Sequence, residues 1–285
     1  MAVIERQAPP SGPFIRECLD WVCRNQAANP LPVTLLDRAL HEPDFRESLY
    51  LLVSRQRGEI AALAWRSDFP KMGLSAAGQI EAVDEIAIQV RADMPDLPCV
   101  MGREQEARRF VRAWQWPGHP EPPLGVGQRI YQLNRVIPHP PVPGTLRATD
   151  ESDLQLVATW TFHFNQELHM PAHQTLAQLE VEAQRHLHQG SLFVWQDEEP
   201  VCFVRAGGPQ GLVARIGPVY TPPERRRRGY AGAAVAAASQ LMLDRGHPIC
   251  CLYTDTSNPT SNHIYQEVGY RAVCDVEEYW FQPQP

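Results

Sequence analysis

The chain has 285 residues, 44% of them hydrophobic and 21% charged, and a net charge of −7. This length exceeds a small single core and fits two ordinary domains, and the composition excludes wholesale disorder. The acidic balance argues against a general nucleic-acid binder. The apolar runs are too short or too alanine-rich to span a bilayer, and the opening MAVIERQAPP lacks the features of a secretory signal, so the expectation is a soluble cytoplasmic protein engaging neither membrane nor nucleic acid.

In chain order, SLYLLVS and EIAALAWRS read as a hairpin, and a helix is expected from Ala76 to Val90. PCVMG then reads as a strand, REQEARRFVRAWQW as a helix and QRIYQLNRV as a strand. GVG at 125–127 precedes a strand rather than a helix and carries no phosphate-binding expectation. VIPHPPVPG, residues 136–144, holds four prolines and a closing glycine and reads as a stiff connector. It divides an accessory α/β domain, 1–137, from a second domain, 145–285, with residues 138–144 as linker.

The second half opens with the short strand TLRAT, after which Thr149 or Asp150 caps a helix through SDLQLVATWTFHFNQEL. A second helix covers 175–188. SLFVWQ, PVCFVRAG and LVARIGPVY are strands, a helix runs from about Gly229 to Arg245, ICCLYTD is a strand, and Asn258 to Val268 is a helix ended by Gly269. YRAVCDVEEYWF supplies the last strand. The order β-α-α-β-β-β-α-β-α-β implies a mixed, mostly antiparallel sheet with helices on both faces. The first half repeats the tail of that order, as a diverged internal duplication would, giving two similar α/β domains in tandem.

The seven cysteines contain no CxxC pair and suit reduced thiols acting as small hydrophobes, with no metal site expected. HLH at 186–188 sends its histidines to different helix faces. The charge pattern is more pointed. Residues 143–285 carry sixteen acids, no lysine and ten arginines, four of them consecutive at Arg225–Arg228. In VYTPPERRRRGYAGA the proline of the preceding strand stops ladder pairing, leaving main-chain groups of Val219, Tyr220 and Thr221 available to something other than a strand. The helix opening at Gly229 offers free amides through Tyr230, Ala231 and Gly232, and the small residues let an anion approach the backbone. Arg226, Arg227 and Arg228 add forked donors, so a pyrophosphate is the natural guest. Neither the G-K-[ST] ending of a nucleotide-hydrolysing loop nor the dinucleotide fingerprint is present.

Arg226-x-x-Gly229-x-Ala231 resembles the acyl-CoA loop of the GNAT superfamily of N-acetyltransferases, whose pattern is Arg/Gln-x-x-Gly-x-Gly/Ala. The resemblance covers roughly residues 145–282 and includes the strand order. DTSNPTSNHIYQEVGY, from Asp255, is similar to the family's Asn-x-x-(small)-x-x-x-Tyr-x-x-x-Gly-Tyr/Phe signature, with Ser261 and Tyr265 four apart on one helix face. The resemblance implies acetyl-CoA as cofactor, Asn258 holding pantetheine, and a primary amine on a small molecule or peptide attacking the thioester directly. It further implies Tyr265 as the general acid for the departing thiolate.

The strand before the loop has no carboxylate to serve as base, which leaves His163, Glu167, His169 and His173 as candidates and keeps open a second reading, a non-catalytic acyl-CoA sensor or scaffold. The first half has no arginine–glycine loop. As a degenerate copy it would shape the acceptor cleft or an oligomer contact such as a homodimer.

Overall fold

Prolines and glycines set where most elements start and stop. The computed structural model describes residues 3–67, 71–114, 122–168 and 174–281. The first part of the chain forms β1 (Val3–Gln7), α1 (Gly12–Cys23), α2 (Pro30–His41), α3 (Pro43–Ser48), β2 (Tyr50–Gln56), β3 (Glu59–Arg66), β4 (Lys71–Ala76), α4 (Ala82–Asp93), β5 (Cys99–Arg103), α5 (Glu104–Trp114) and β6 (Leu124–Leu133). Sequence reading assigned nothing before residue 48, although α1, α2 and α3 each have proline in the first two positions and Ser11 caps α1 by accepting the Phe14 amide. It also placed a helix from Ala76 that begins only at Ala82. Lys71–Ala76 is a strand, buried on both faces after its first residue, where period-2 alternation vanishes.

The remainder forms β7 (Thr145–Ala148), a 3₁₀ turn (Glu151–Asp153), α6 (Leu154–Glu167), α7 (Leu176–His188), β8 (Leu192–Asp197), β9 (Glu199–Gly207), β10 (Ala214–Tyr220), a 3₁₀ turn (Pro223–Arg225), α8 (Tyr230–Asp244), β11 (Cys250–Asp255), α9 (Pro259–Val268) and β12 (Arg271–Trp280). Asp150 and Thr175 both form capping boxes, and Gly269 closes α9 in the left-handed region. The sheet is mixed and mostly antiparallel, flanked by helices, and the series β2-β3-β4-α4-β5-α5 recurs as β8-β9-β10-α8-β11-α9.

Two compact units result, but they are not the two sequence halves. One comprises Met1–Ile130, Thr254–Ser257 and Val273–Pro285; the other comprises Tyr131–Tyr253 and Asn258–Ala272. Strand order in the first is β1-β2-β3-β4-β5-β12. Thus β12, read from sequence as closing the second domain, pairs antiparallel with β5, Val276–Trp280 opposite Cys99–Arg103, and Tyr279 lies in the first unit's core.

The second unit has the order β6-β11-β10-β9-β8-β7, taking β6 from Tyr131 onward. Tyr131 and Leu133 are buried in its core, and the Tyr131 hydroxyl donates to Asn262 Oδ1 at 3.0 Å and accepts from Gln266 Nε2 at 3.2 Å. Alternation along a strand shows which face is buried and not which neighbour it pairs with, so this exchange has no sequence signature.

Two apolar layers sandwich the second unit's sheet. Phe193, Trp195, Cys202, Val204 and Ile216 pack with α8, whereas the alternating Leu192, Val194, Phe203 and Tyr220 pack with Trp160 of α6 and Ala183 of α7. The segment 136–144, expected as a linker, is integral to this unit. The Ile137 amide donates to the Val268 carbonyl at 2.9 Å, Trp195 Nε1 donates to the Pro143 carbonyl at 2.8 Å, and Val136 and Val142 pack on the core. Among the described residues, no helix is long and apolar enough to cross a membrane.

Because Tyr131 brings a buried ring and two hydrogen bonds, Tyr131→Ala is expected to destabilise the protein by about 3 kcal/mol and Tyr131→Phe by about 1 kcal/mol. Denaturant midpoints of the full chain test both values.

Candidate functional site

The site starts with a fault in a strand. β10 pairs antiparallel with β9, but the register shifts between Ile216, opposite Ala206, and Val219, opposite Val204: three steps on β10 against two on β9. Gly217 and Pro218 occupy the extra position, and proline contributes no amide. On its other edge β10 pairs in parallel with β11 only at Ala214–Cys250 and Arg215–Cys251. Past Arg215 no pairing joins β10 to β11, and Val219 and Tyr220, singled out from sequence, keep β9 as their strand partner.

The chain then runs through Thr221 and the 3₁₀ turn, takes a left-handed conformation at Arg227 (φ 62°), and enters α8 through Gly229 at φ 83°. Gly229 provides no side-chain cap, and the first intrahelical bond is Ala233 N–H to the Gly229 carbonyl at 3.0 Å. The amides of Tyr230, Ala231 and Gly232 therefore precede the helical ladder and form an uncapped, positively polarised terminus.

The arginine tetrad divides in two. Arg225 pairs with Glu199. Arg226, expected at the anion, is folded back: its Nε donates to the Thr221 carbonyl at 2.8 Å, its Nη2 lies 2.6 and 2.8 Å from the Glu167 carboxylate oxygens, and its guanidinium stands 5.6 Å from the Tyr220 ring centre. Carboxylate geometry suits the guanidinium fork as well as phosphate does, and acids distant in sequence are invisible to motif spacing. Arg227 and Arg228 are exposed and have no carboxylate partner among the described residues.

The space at the glycines also has a second use. A Cβ on Gly232 would stand 2.4 Å from His139 Nε2, and one on Gly229 would stand 3.0 Å from Val142 Cγ2. His139 is oriented by its Nδ1, 2.8 Å from the Pro140 carbonyl. The Gly232 vacancy, attributed from sequence to phosphate approach, is filled by the 136–144 segment. The Tyr230 side chain points inward, its hydroxyl donating to Asp197 at 2.5 Å.

On α9, Asn258 Oδ1 accepts the Ser261 amide at 3.0 Å, so this side chain caps the helix. Tyr265 is half-buried and packs, like Val219, against the α8-side core, with its ring 6.1 Å from that of Tyr270 in an edge-on arrangement. Its hydroxyl makes no hydrogen bond among the described residues. Burial, reinforced by the nearby Cys202, pushes the phenol up to about 12. Burial likewise holds the Cys202 and Cys250 thiols up at about 12, which fits their reading as inert hydrophobes.

Of the expected bases, Glu167 lies on α6, 3.5 Å from the Tyr220 hydroxyl and bound by Arg226, and the His163 ring is 6.4 Å from that of Tyr220. His169 and His173 lie outside the described residues. Sequence reading missed Glu182. Together with His186, Thr161, Arg205 and the bulge residue Pro218, it lines a cavity of about 40 Å³, room for a water or two. His186 Nε2 stands 3.4 Å from Glu182 Oε1. Its hydrogen bond lowers the Glu182 carboxyl to about 2, while burial lowers the imidazole, favouring a neutral ring beside a carboxylate. The i,i+4 spacing of Glu182 and His186 was the available signal.

Residues 154–270 match the family model described as Acetyltransferase (GNAT) family. No curated protein matches the chain. Solved structures extend the likeness over the whole length. A GNAT-family acetyltransferase from Colwellia psychrerythraea superposes with a TM-score of 0.63 at 10% identity, covering 98% of this chain and 100% of that one. A tandem GNAT protein from the clavulanic acid biosynthesis pathway gives 0.61 at 11%, covering 100% of both. A GCN5-related N-acetyltransferase from Sphaerobacter thermophilus gives 0.61 at 17%, covering 100% and 97%. At these identities the structures establish a shared fold.

Gly232→Ala is expected to destabilise the protein by about 1–3 kcal/mol through overpacking against His139, although helix propensity alone would favour alanine by about 1 kcal/mol. Adding His139→Ala should restore most of the loss in urea unfolding.

Tyr265 ionises at about 10 when unfolded and about 12 when folded, so its contribution to stability is intact below pH 10 and disappears as pH rises through 12. Tyr265→Phe should make the stability loss between pH 10 and 12 shallower than in the parent chain.

Proposed function

We propose that this protein is an acyl-CoA-dependent N-acyltransferase whose second unit binds acetyl-CoA along β10 and transfers the acetyl group to a primary amine. The observation carrying this reading is the continuity of two donor sets. The β10 edge left unpaired with β11 leads within about a dozen residues to the uncapped amides of α8, matching a ligand with an amide-bearing arm and a diphosphate.

Pantetheine amides extend along Val219 and Tyr220. The diphosphate is met by the backbone of Gly229, Tyr230, Ala231 and Gly232, with Arg227 and Arg228 supplying charge. Arg226 positions the loop through Thr221 and Glu167. Asn258 and Ser261 start α9 beside the arm.

In the reaction the amine nitrogen attacks the thioester carbonyl carbon, the carbon–sulfur bond breaks with its electron pair on sulfur, and Tyr265 supplies a proton or hydrogen bond to that thiolate. A phenol at about 12 is a weak acid. The same desolvation raises the basicity of a thiolate beside it, keeping the two groups matched. A backbone amide of the bulge polarises the carbonyl. The amine loses its proton to a carboxylate on the α6–α7 side, Glu167 or Glu182, directly or through water.

The absence of a carboxylate on β10 favours one rival, a module that binds acyl-CoA without turnover. Thiol release measured across a panel of small-molecule and peptide amines separates the two. Silence with tight CoA binding selects the module.

Acetyl-CoA at about 100 times its Kd should stabilise the chain by about 2.7 kcal/mol, read as a rise in Tm. Charge reversal of the exposed pair, Arg227→Glu with Arg228→Glu, should shrink that rise without changing the unliganded Tm by more than a degree or two. Gly229→Glu should abolish it. Tyr265→Phe should lower kcat about 100-fold or more while leaving the Kd for acetyl-CoA within a factor of about two; unaltered turnover would remove Tyr265 from the acid role.

A further inference from the structure

In the first unit the parallel pair of β4 and β5 also ends short of the last residues of β4, and there the end is closed. β4 and β5 pair at Lys71–Cys99, Met72–Val100 and Gly73–Met101, and the ladder stops before Ala76, as that of β10 and β11 stops after Arg215. The Ala77 amide donates to the Ala61 carbonyl, toward β3. Ala76, one residue earlier on a pleated strand, therefore turns both its amide and its carbonyl to the β5 side, into the gap.

Neither group of Ala76 is free. Its amide donates to Glu106 Oε1 at 2.9 Å, and its carbonyl accepts from Arg103 Nη2. The two side chains are locked together: Arg103 Nε donates to Glu106 Oε1 at 2.8 Å, and the Arg103 amide donates to Glu106 Oε2 at 3.1 Å. Glu106 is 2% exposed. Gly102 lets α5 come this close, since a Cβ there would stand 3.1 Å from Leu74 Cβ and 3.4 Å from Glu106 Cβ.

The second unit lacks each part of this arrangement. α5 follows β5 without a break and carries Glu104 and Glu106 in its first turn, whereas α9 starts after Thr256, Ser257 and Asn258 and has no acid in its first turn. Among the described residues, no side chain hydrogen-bonds to the main chain of Gly217–Tyr220.

We propose that Arg103 and Glu106 form a built-in stopper, a guanidinium–carboxylate pair that fills in the first unit the strand gap that the second unit leaves for the amide arm of acyl-CoA. The chain consequently takes one acyl-CoA, in the second unit. This rests on the function proposed above. It goes further by giving the two copies unlike roles and by naming the residues that separate them.

Titration calorimetry of the full chain with acetyl-CoA, paired with amide hydrogen exchange, tests it. The expected stoichiometry is one. Protection should rise at residues 217–221 and 229–232, while the Ala76 amide is protected at least 100-fold before ligand is added and does not change on addition. A stoichiometry of two, protection gained at residues 74–76, or an Ala76 amide that exchanges freely overturns the stopper while leaving the acyl-CoA reading standing. Absence of heat with any CoA thioester removes that reading, and the stopper with it.

Discussion

Loss of pairing between β10 and β11 after Arg215 is the constraint on which the rest of the second unit is arranged. A parallel pair that continued to Tyr220 would bury its own main-chain donors and acceptors in a ladder and leave nothing to offer a ligand. The bulge at Gly217–Pro218 shifts the register, and beyond it Val219 and Tyr220 pair with β9 but not with β11. On the reading proposed above, the strand and helix-terminus donors lie between Val219 and Gly232, and α9 contributes Asn258, Ser261 and Tyr265 from further along the chain. Placing donors in advance reduces what must be ordered when a ligand arrives.

Charge around the site is less lavish than four consecutive arginines suggest. Two of them are neutralised by Glu199 and Glu167, so the loop presents two exposed guanidinium groups and a helix terminus. Such exposed pairs contribute little to stability. Their effect is on geometry: the Arg226 pair ties the loop after β10 to the end of α6, the helix that supplies His163 and Glu167. One side chain thereby joins the loop after β10 to α6.

How much of this could be read from the sequence depended on the range of the interaction. Local signals were reliable. Asn258 and Pro259 opened α9, Gly269 closed it, Asp150, one of two residues read as a cap, caps the turn that leads into α6, and the proline in β10 marked the bulge. The loop and helix start around Gly229 followed from residue types alone. Apart from the early helices α1–α3 and the strand Lys71–Ala76, what escaped was long-range. Partner choice for β12 and β6 depends on sheet edges that alternation does not encode. The Arg226–Glu167 pair joins residues 59 apart in sequence, and the packing of His139 on Gly232 turned a supposed linker into part of the core. Glycine itself was legible there, but its neighbour was not.

The exchange of strands bears on how the protein is made. The first unit's β5 acquires its outer neighbour, β12, about 170 residues after β5 itself, so that edge stays uncovered while those residues are being made. At bacterial or eukaryotic elongation rates the interval is on the order of ten seconds or more. During it the nascent first unit exposes an unpaired edge beside an apolar core, a surface that invites pairing with the wrong partner. Order of synthesis and order of folding are thus set against each other by one late strand, and that edge stays open until β12 has emerged.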